Sequence, residues 1–471
     1  MIYISLILKI FLTYSLLIDI TYSQSILNPT PLKKILNESG NKNYAWINDS
    51  SKLKIIYNQF FYNNSNLTNF ENQNGLHIPR GFGFTTGLLF IYEAKNIFLT
   101  FEPRINVKEV FYKDTPQKNG IFSVSNDLDN IRKNDHYPRN FGFKYKLGNL
   151  NIGYGNWDQW WGPGIHNSIT LSNNSKGFYN YHIDYYSKYL VSSDYININL
   201  NYNLSEPFKN SFGNEFFLTS LKSQFIYKNI EVGVAKDILS GGYNDIKWRI
   251  NDAALSILSD KNSKYWNKTS SYYIKYFSKE TGLNIFYELG VPKIGFNNKK
   301  IRNYSDHGFG TNFGLRKYKA FGHENFTFGF EYTRLLQSSY YNILPSPNWY
   351  DDKKYNYSSY MNRRWGAHSG PDSDDLLVYI GSIDNNLSLI YALNYERRGV
   401  TYNFPPEVKF ESKIMFSFRT NKLFISIDIE NEYFEHYGFV DTNLNVWNQT
   451  FQSGSIQRTN SVLFSIESKL F

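Results

Sequence analysis

The stretch Tyr195-Ile-Asn-Ile-Asn-Leu-Asn-Tyr-Asn203 alternates between large apolar side chains and asparagines. Because successive side chains of an extended strand point to opposite faces, the apolar residues share one face and the asparagines share the other. The same period of two recurs most clearly at 326–333, 387–396, 408–419 and 423–430. Further examples lie near 88–92, 97–102, 141–147, 149–155, 215–226, 228–236, 271–277, 283–289, 310–316, 375–382 and 461–470. Together these segments predict an all-β protein with roughly sixteen strands.

Two environments produce this alternation. One is a soluble sandwich or propeller with an apolar core, and the other is a membrane barrel with lipid outside and a wet lumen inside. The polar faces here carry consecutive Asn, Lys and Glu residues, and the chain has 40 Tyr, 38 Phe and 9 Trp, which aromatic girdles at two membrane interfaces would use. The turn at Asn421-Lys422 is tight, and long polar connections lie at 104–139, 238–269, 290–309 and 336–374. We therefore predict a transmembrane, antiparallel outer-membrane β-barrel.

The composition excludes several classes of protein. The chain has 471 residues and no cysteine, which removes disulfide scaffolds, cysteine zinc sites, iron–sulfur clusters and thiol nucleophiles. Its mean hydropathy is −0.47. No run of about 18 apolar residues follows the N-terminal leader, so helical membrane spans are not expected. The formal net charge of +9 suits an acidic polymer or a membrane surface as a partner.

The N-terminus has the features of an export signal. Residues 1–23 contain an apolar core with Lys9 as the early positive charge, and Thr21 and Ser23 are the small residues that precede Gln24. We predict that residues 1–23 form a signal peptide that is removed. The mature protein is then expected in the outer membrane of a Gram-negative cell, in contact with outer-membrane lipid.

We assign residues 24–75 to a periplasmic N-terminal segment and residues 76–471 to the barrel. Apolar residues of the first segment follow the i, i+3, i+4, i+7, i+8 spacing of an amphipathic helix. They are Leu53, Ile56, Tyr57, Phe60 and Phe61. The same residue types favour strands, so a helix and an early strand both remain open. The segment 462–471 ends on an aromatic residue, which is typical of the last strand of an outer-membrane barrel. Its apolar face is Val462, Phe464, Ile466 and Leu470, and Phe471 lies one position out of phase with them.

One segment differs from the alternating strands. Residues 154–174 read Tyr-Gly-Asn-Trp-Asp-Gln-Trp-Trp-Gly-Pro-Gly-Ile-His-Asn-Ser-Ile-Thr-Leu-Ser-Asn-Asn. Gly162, Pro163 and Gly164 predict a tight, irregular backbone beside bulky rings, and we interpret these three residues as structural. Aromatic rings stack on sugar faces, and Asp and Asn side chains bond hydroxyl groups. The segment therefore predicts either a glycan contact or a set of rings that fills the lumen.

The string WWGPG followed by SITLSNNS strongly resembles the capsule assembly Wzi family of outer-membrane proteins. Two further stretches are similar to branches of that family, namely Asn74-Gly-Leu-His-Ile-Pro-Arg-Gly81 and His368-Ser-Gly-Pro-Asp-Ser-Asp-Asp-Leu376. The resemblance implies a plugged barrel of about eighteen strands, so we expect 16–18 strands. It also implies a cell-surface lectin that attaches capsular polysaccharide or exopolysaccharide, with the polysaccharide export machinery as a further partner. The N-terminal helical bundle of the family finds little room before residue 80.

Two groups of residues are candidates for polysaccharide binding. The first group is Trp157, Asp158, Trp160, Trp161, Asn173 and Asn174. The second group is Trp349, Tyr350, Arg363, Arg364 and Trp365. Aromatic rings beside cations hold acidic sugars by stacking and by charge. The second group fits equally well a loop that packs over the barrel mouth, and the two asparagines also fit a turn that satisfies its own backbone.

We predict no catalytic residues, no metal site and no cofactor. His166 has no metal partner nearby in the sequence, and no motif of a serine hydrolase, a zinc protease or a P-loop occurs. Asp372, Asp374 and Asp375 fit a solvated turn better than a paired-carboxylate glycosidase site or a calcium loop.

The leading hypothesis is a non-enzymatic lectin that anchors capsule at the cell surface. A passive porin or nutrient channel is the alternative, and a glycan hydrolase that uses the three aspartates is the third hypothesis. Nucleic acid is not an expected partner of an exported barrel.

Overall fold

A computed structural model of the protein describes residues 24–25, 30–39, 52–67, 71–76, 78–108, 136–191, 194–243, 250–257, 266–292, 309–336, 349–350, 352–360, 363–400, 406–437 and 456–470. In this part of the chain, eighteen strands form one closed antiparallel ring. They are β1 (Leu53–Asn64), β2 (Gly81–Glu93), β3 (Ile97–Lys108), β4 (His136–Leu147), β5 (Leu150–Gly155), β6 (Asn180–Val191), β7 (Asp194–Ser205), β8 (Glu215–Tyr227), β9 (Ile230–Gly241), β10 (Asn267–Ser278), β11 (Leu283–Pro292), β12 (Gly310–Tyr318), β13 (Phe326–Arg334), β14 (Ser373–Ile383), β15 (Leu387–Arg398), β16 (Glu407–Arg419), β17 (Leu423–Glu435) and β18 (Gln457–Lys469). The predicted outer-membrane β-barrel is confirmed, at the upper end of the expected strand number.

The remaining described elements are short. They are helices α1 (Pro31–Glu38) and α2 (Ile250–Leu255), 3-10 turns at Ala320–Gly322 and Lys353–Ser358, and two-residue strands at Gln24–Ser25, Asp158–Gln159, Phe208–Lys209, Ser359–Tyr360 and Arg363–Arg364. Among the residues that the structure describes, no helix has both the length and the apolar character needed to cross a membrane.

The ring closes because the last strand pairs with the first. β18 runs antiparallel to β1 with Ile466 opposite Gln59, and every other strand of the ring pairs with its neighbours in the sequence. A closed ring has no edge strand, so each backbone N–H and C=O that crosses hydrocarbon can find a partner on an adjacent strand.

The alternation in the sequence does not identify two of the strands. Leu53–Asn64 fits both a helix and a strand, and the structure makes it β1, between β2 and β18. The domain boundary after residue 75 is therefore wrong, because the pairing of β1 closes the ring. The other unidentified strand is β6, in which Tyr185 and Tyr186 fall on opposite faces and Tyr189 and Leu190 are both exposed. The predicted signal peptide, residues 1–23, and Phe471 lie outside the described residues.

The period of two separates an apolar outer surface from a polar lumen. In β7 the asparagines at 199, 201 and 203 are buried, and Asn201 Nδ2 donates to Asp184 Oδ1 of β6 at 2.9 Å. In β15 the exposed outer face carries Leu387, Leu389 and Tyr391. The predicted assignment of the two faces is confirmed for these strands.

Connections at the two ends of the barrel differ in length. At one end they range from two residues (148–149) to seven (319–325), and at the other they range from eight (399–406) to thirty-eight (335–372). We call these the short-turn end and the long-loop end. This difference is typical of outer-membrane barrels, in which the short turns face the periplasm and the long loops face outward.

The helix α1 lies inside the barrel near the short-turn end. Pro31 occupies its first turn, and Thr30 caps it by accepting a hydrogen bond from Lys33 N at 3.4 Å. Its apolar side chains are buried against inward-facing apolar residues of the barrel wall. These contacts join Leu32, Ile35 and Leu36 to Tyr318, Leu377, Tyr379, Ile390, Ala392, Met415 and Phe424. The assignment of this segment to the periplasm is corrected accordingly, since α1 fills part of the lumen.

We expect Ile414→Arg to destabilise the barrel by about 2–4 kcal/mol, because Ile414 lies near the middle of β16 on the outer face, where the arginine would meet lipid. Urea titration of the protein folded in lipid vesicles measures this cost. Phe321→Arg is the matched control, because Phe321 is 77% exposed in a turn between strands. Equal and small effects of both changes would contradict a lipid-facing outer surface.

Candidate functional site

Three long connections fold back into the lumen above α1. They are loop A (65–80), loop B (156–179) and loop C (335–372), and we call α1 and the described parts of these loops the plug. Loop B is the most enclosed of these segments, since all its residues from 163 to 178 are buried. Its backbone near Asp158–Gln159 also pairs with the short strand Gln24–Ser25. The residues that stand out in the sequence therefore form the interior of the protein.

A carboxylate of the barrel wall holds the WGPG turn. Glu331 on β13 accepts hydrogen bonds from three consecutive backbone N–H groups, those of Ile165 at 2.7 Å, His166 at 3.2 Å and Asn167 at 2.7 Å. A side chain at position 164 would clash with this carboxylate, because a Cβ there would lie 2.4 Å from Glu331 Oε1. The glycine-proline-glycine turn, predicted to be structural, thus lies against a buried carboxylate, and the absence of a side chain at position 164 lets its backbone come close to that carboxylate.

The three tryptophans of loop B occupy different positions in the plug. Trp157 fills the space beside Gly142 on β4, and its Nε1 donates to Thr100 Oγ1 at 2.7 Å. Trp160 is half-buried, and Lys34 Nζ of α1 lies over its ring. Trp161 is fully buried among apolar residues of loops B and C and strands β8 and β9. These rings fill the lumen in this structure, and glycan contact by them stays a prediction.

Asn173 and Asn174 join loop B to the other parts of the plug. Asn173 Nδ2 donates to the backbone oxygen of Asn72 at 3.2 Å, and Asn174 Nδ2 donates to that of Arg364 at 3.1 Å. In the other direction, the backbone N–H of Asn74 donates to Asn173 O at 2.9 Å. Both side chains are buried, so the SNN segment holds loops A, B and C together.

Asp158 belongs to a buried ion network of the wall. It pairs with Arg139 on β4, which also contacts Glu102 on β3 at 3.0 Å. Glu102 accepts a further hydrogen bond from Asn140 Nδ2 at 2.6 Å. This network anchors the start of loop B to two neighbouring strands.

The candidates in loop C are buried as well. Trp349 packs with Ile169, and the hydroxyl of Tyr350 donates to the backbone oxygen of Ile169. Arg363 Nη2 donates a hydrogen bond to the backbone oxygen of Leu76 at 3.2 Å. The Arg364 guanidinium lies 5.5 Å from the centre of the Tyr350 ring, and the Trp365 ring stacks on the Phe208 ring with centres 5.8 Å apart. The structure therefore shows packing contacts for loop C, and polysaccharide binding by these five residues stays a prediction.

The three aspartates near the start of β14 are not in a solvated turn, so that interpretation is wrong. Asp372, Asp374 and Asp375 are all buried. Asp374 forms an ion pair with Arg397 on β15, and Asp375 contacts His166 and His368. Buried carboxylates persist when charged partners and hydrogen bonds compensate their desolvation, which explains these neighbours. The arrangement differs from two carboxylates that face each other across an open cleft.

The structure also brings together a histidine pair that the sequence does not predict. His166 of loop B and His368 of loop C lie edge to face with ring centres 4.4 Å apart, and both Nε2 atoms point at Asp375. Burial alone would lower the pKa of His166, but Asp375 and Glu331 raise it to about 9, so this position favours positive charge. His166, His368 and Asp375 lie in separate parts of the chain, so the sequence does not show directly that they meet. The sequence signal for their importance is that both histidines lie in or next to the family-like stretches WGPG and HSGPD.

The described loops also form a partly exposed surface at the long-loop end. Phe208 and Tyr360 have ring centres 5.4 Å apart, and Asn356 Nδ2 donates to Lys209 O at 3.0 Å, which joins the 206–214 connection to loop C. Phe212 is 59% exposed at the tip of that connection. We call Phe208, Lys209, Phe212, Asn356, Tyr357 and Tyr360 the rim platform. It combines accessible rings, an amide and a cation.

The capsule assembly protein Wzi family model matches residues 66–432 of the chain. The chain belongs to the capsule assembly protein Wzi family. A comparison with curated protein sequences gives no match.

One solved structure with a similar fold is an outer-membrane β-barrel. Wzi of Escherichia coli, described as a carbohydrate-binding β-barrel involved in group 1 capsule assembly, is 12% identical, has a TM-score of 0.60, and the match covers 92% of this chain and 88% of that one. OccAB4 of Acinetobacter baumannii is 10% identical with a TM-score of 0.49, covering 90% of this chain and all of that one. OprD of Pseudomonas aeruginosa is 8% identical with a TM-score of 0.45, covering 89% and 92%. At such identities the likeness to Wzi of E. coli shows the fold alone. The match of the family model to residues 66–432 confirms the resemblance to the Wzi family that the sequence motifs indicate.

For this Wzi family member, we expect Glu331→Gln to loosen loop B, because a neutral side chain weakens three charge-assisted hydrogen bonds at a cost of about 2 kcal/mol or more. Limited proteolysis of the purified protein should then cleave within 156–179 at lower protease concentrations. Gly164→Ala should act in the same way, since its Cβ displaces the carboxylate. Glu324→Gln, in an exposed turn, is the control that should leave cleavage unchanged.

The attachment of α1 should weaken in acid. Burial alone would raise the pKa of Glu38, but Arg316 and Lys275 outweigh it and lower the pKa to about 2. A depressed pKa stabilises the folded form above the ordinary value of 4.5, and this contribution of about 3 kcal/mol is lost as pH falls from 4.5 through 2.

Hydrogen exchange of the α1 amides, corrected for intrinsic rates, measures this loss. We expect faster exchange near pH 3 than at pH 7 in the native protein. Glu38→Gln should exchange fast at both pH values. A native protein whose α1 protection is unchanged down to pH 2 would contradict the assigned role of Glu38.

Proposed function

We propose that this Wzi family member is a non-enzymatic protein of the outer membrane that binds a capsular or exported polysaccharide at the cell surface and retains it there. Its family membership and the carbohydrate binding of the E. coli relative support the proposal. The observation that carries it is the plug. A lumen filled by three long loops suits a protein that presents a surface better than a protein that passes solutes.

The space left around α1 supports a plugged barrel over a passive channel. A cavity of about 310 Å³ lies at the C-terminal end of α1, where Ser39 and residues of the short turns 319–325 and 384–386 line it. Beside the N-terminal half of the helix, deeper in the lumen, two cavities have volumes of only about 60 Å³ and about 30 Å³. These two smaller volumes hold a few water molecules and are small for a nutrient, so the larger cavity does not continue past the helix as a wide passage. Planar-bilayer recordings of the purified protein should accordingly lack steady conductance, and a stable open channel would favour the porin alternative.

We place the polysaccharide contact at the rim platform, because its rings and polar groups are accessible in the folded protein. Phe212 and Tyr360 supply faces on which sugar rings stack, while Lys209 supplies a positive charge for an acidic sugar. Each contact to one sugar unit is weak. A repeating polymer gains avidity when it contacts several protein molecules at once.

We expect Phe212→Ala and Tyr360→Ala each to weaken binding of the native surface polysaccharide about three- to tenfold, which is the loss of one stacking contact. Binding of purified polysaccharide to the protein in detergent measures this change. Phe321→Ala removes an exposed phenylalanine at the opposite end of the barrel and should have no effect. Unchanged binding in all three variants would exclude the rim platform.

The proposal also predicts a phenotype. Cells that lack the protein should synthesise a normal amount of polysaccharide but release it into the medium, and the wild-type chain should restore retention. Undiminished cell-bound polysaccharide in the deletion strain would refute the proposed anchoring role. Contact with the export machinery remains a prediction, which cross-linking in intact cells would test.

A further inference from the structure

Where the plug meets the barrel wall, metal-binding side chains converge from separate segments. Loop A contributes Glu71, loop B contributes His166, loop C contributes His368 and strand β14 contributes Asp375. Ligand atoms of Glu71, His166 and His368 all lie within 4.8 Å of one another. Both histidines and Asp375 are buried. The cluster therefore joins loops A, B and C to the barrel, at a point that the proposed polysaccharide contact does not use.

Both contacts of Asp375 with the histidines have the length expected between neighbouring ligands of one tetrahedral ion. His166 Nε2 lies 3.1 Å from Asp375 Oδ2, and His368 Nε2 lies 3.2 Å from the same oxygen. Zinc binds imidazole nitrogen and carboxylate oxygen at roughly 2.0–2.2 Å, so neighbouring ligand atoms of a tetrahedral site are about 3.3 Å apart. Glu71 Oε1 lies 3.9 Å from His368 Nε2 and needs a small adjustment to complete the set.

The charge around the cluster favours a bound cation. Five carboxylates surround the two histidines, those of Glu71, Asp375, Glu396, Glu411 and Glu432. Three basic side chains contact them, namely Lys409, Arg398 and Lys413. Two of the three also pair with further carboxylates, Arg398 with Glu407 and Lys413 with Glu430. The carboxylates of this region thus outnumber its basic side chains, an arrangement that a bound cation would balance.

A small cavity also lies beside His166. This cavity of about 30 Å³ borders the cluster on the side of Glu71 and His166, and Glu411, Asn72 and Asn394 also line it, whereas His368 and Asp375 do not. Such a volume accommodates a water molecule or an ion. Asn394 Nδ2 lies 3.0 Å from His166 Nε2, and Asn72 Nδ2 donates to His166 O at 2.8 Å. Asn72 thus fixes the backbone of His166, whereas Asn394 lies beside the same nitrogen that faces Asp375 and would have to move aside for a metal ion to bind there.

We propose that His166, His368 and Asp375 bind one divalent transition-metal ion of the zinc type, with Glu71 as the fourth ligand. Two imidazoles and two carboxylates form a donor set that zinc accepts and that calcium and magnesium, which prefer oxygen alone, do not. Lys409, which now contacts Glu71, retains Glu411, Glu396 and Glu432 as partners when the metal takes Glu71. The ion fastens loops A, B and C to β14 and thereby locks the plug.

The experiment uses the full-length purified protein in detergent. After incubation with zinc chloride and dialysis, elemental analysis should find about one zinc per chain. Cobalt(II), used as a spectroscopic probe, should show the intense visible bands of a tetrahedral site. A strong chelator should render the three loops more sensitive to limited proteolysis, and zinc should restore their resistance.

Substitutions of the proposed ligands test which residues bind the metal. The double variant His166→Gln, His368→Gln should lose the zinc and the cobalt bands, and Asp375→Asn should weaken both by about 10-fold or more. His182→Gln is the matched control, because His182 is a buried histidine of β6 that pairs with Asn203. It should retain about one zinc per chain.

Three outcomes would overturn the proposal. They are a wild-type protein that retains no zinc or cobalt, equal metal content in the double variant and in wild type, and cobalt spectra that lack tetrahedral bands. In the first case, the histidines and Asp375 form a metal-free ion network. Should the double variant fail to fold, the wild-type stoichiometry, cobalt spectrum and chelator response still decide the question. The proposal and the polysaccharide hypothesis fail separately, because metal content does not depend on glycan binding.

Discussion

The pairing of backbone amides in hydrocarbon is the constraint on which this structure depends. Water is absent there, so every N–H and C=O of a membrane-crossing strand needs a partner on another strand. The antiparallel pairing of β18 with β1 meets this need by removing both edges of the sheet. It also brings the beginning and the end of the barrel together at the short-turn end, from which α1 enters the lumen.

An eighteen-stranded ring encloses more space than its inward side chains fill, and the plug occupies that space with charged and aromatic groups. Several buried charged contacts join the plug to the wall. Glu38 of α1 meets Arg316 of β12, Asp158 of loop B meets Arg139 of β4, and Glu331 of β13 meets the backbone of the WGPG turn. Because a buried charge without its partner is costly, these contacts specify where each part of the plug lies.

The same arrangement separates a buried plug from an accessible rim. The buried residues of loop B, with their tryptophans and asparagines, hold the plug together, whereas the accessible rings lie on the 206–214 connection and on loop C. Loops positioned by a rigid scaffold commonly carry recognition. The surface for which we propose polysaccharide binding therefore lies apart from the WGPG turn, which Glu331 holds.

The sequence by itself determined the barrel, most of its strands and the family, because the period of two and the WWGPG and SNN strings are local patterns. It left β1 open between helix and strand, since the residues at 53–61 fit both periods and only pairing with β18 decides between them. It could not show that Asp375 meets His166 and His368, or that Glu331 occupies the space beside Gly164. Those contacts join residues far apart in the chain, and only closure of the ring and folding of the loops into its lumen bring them within bonding distance.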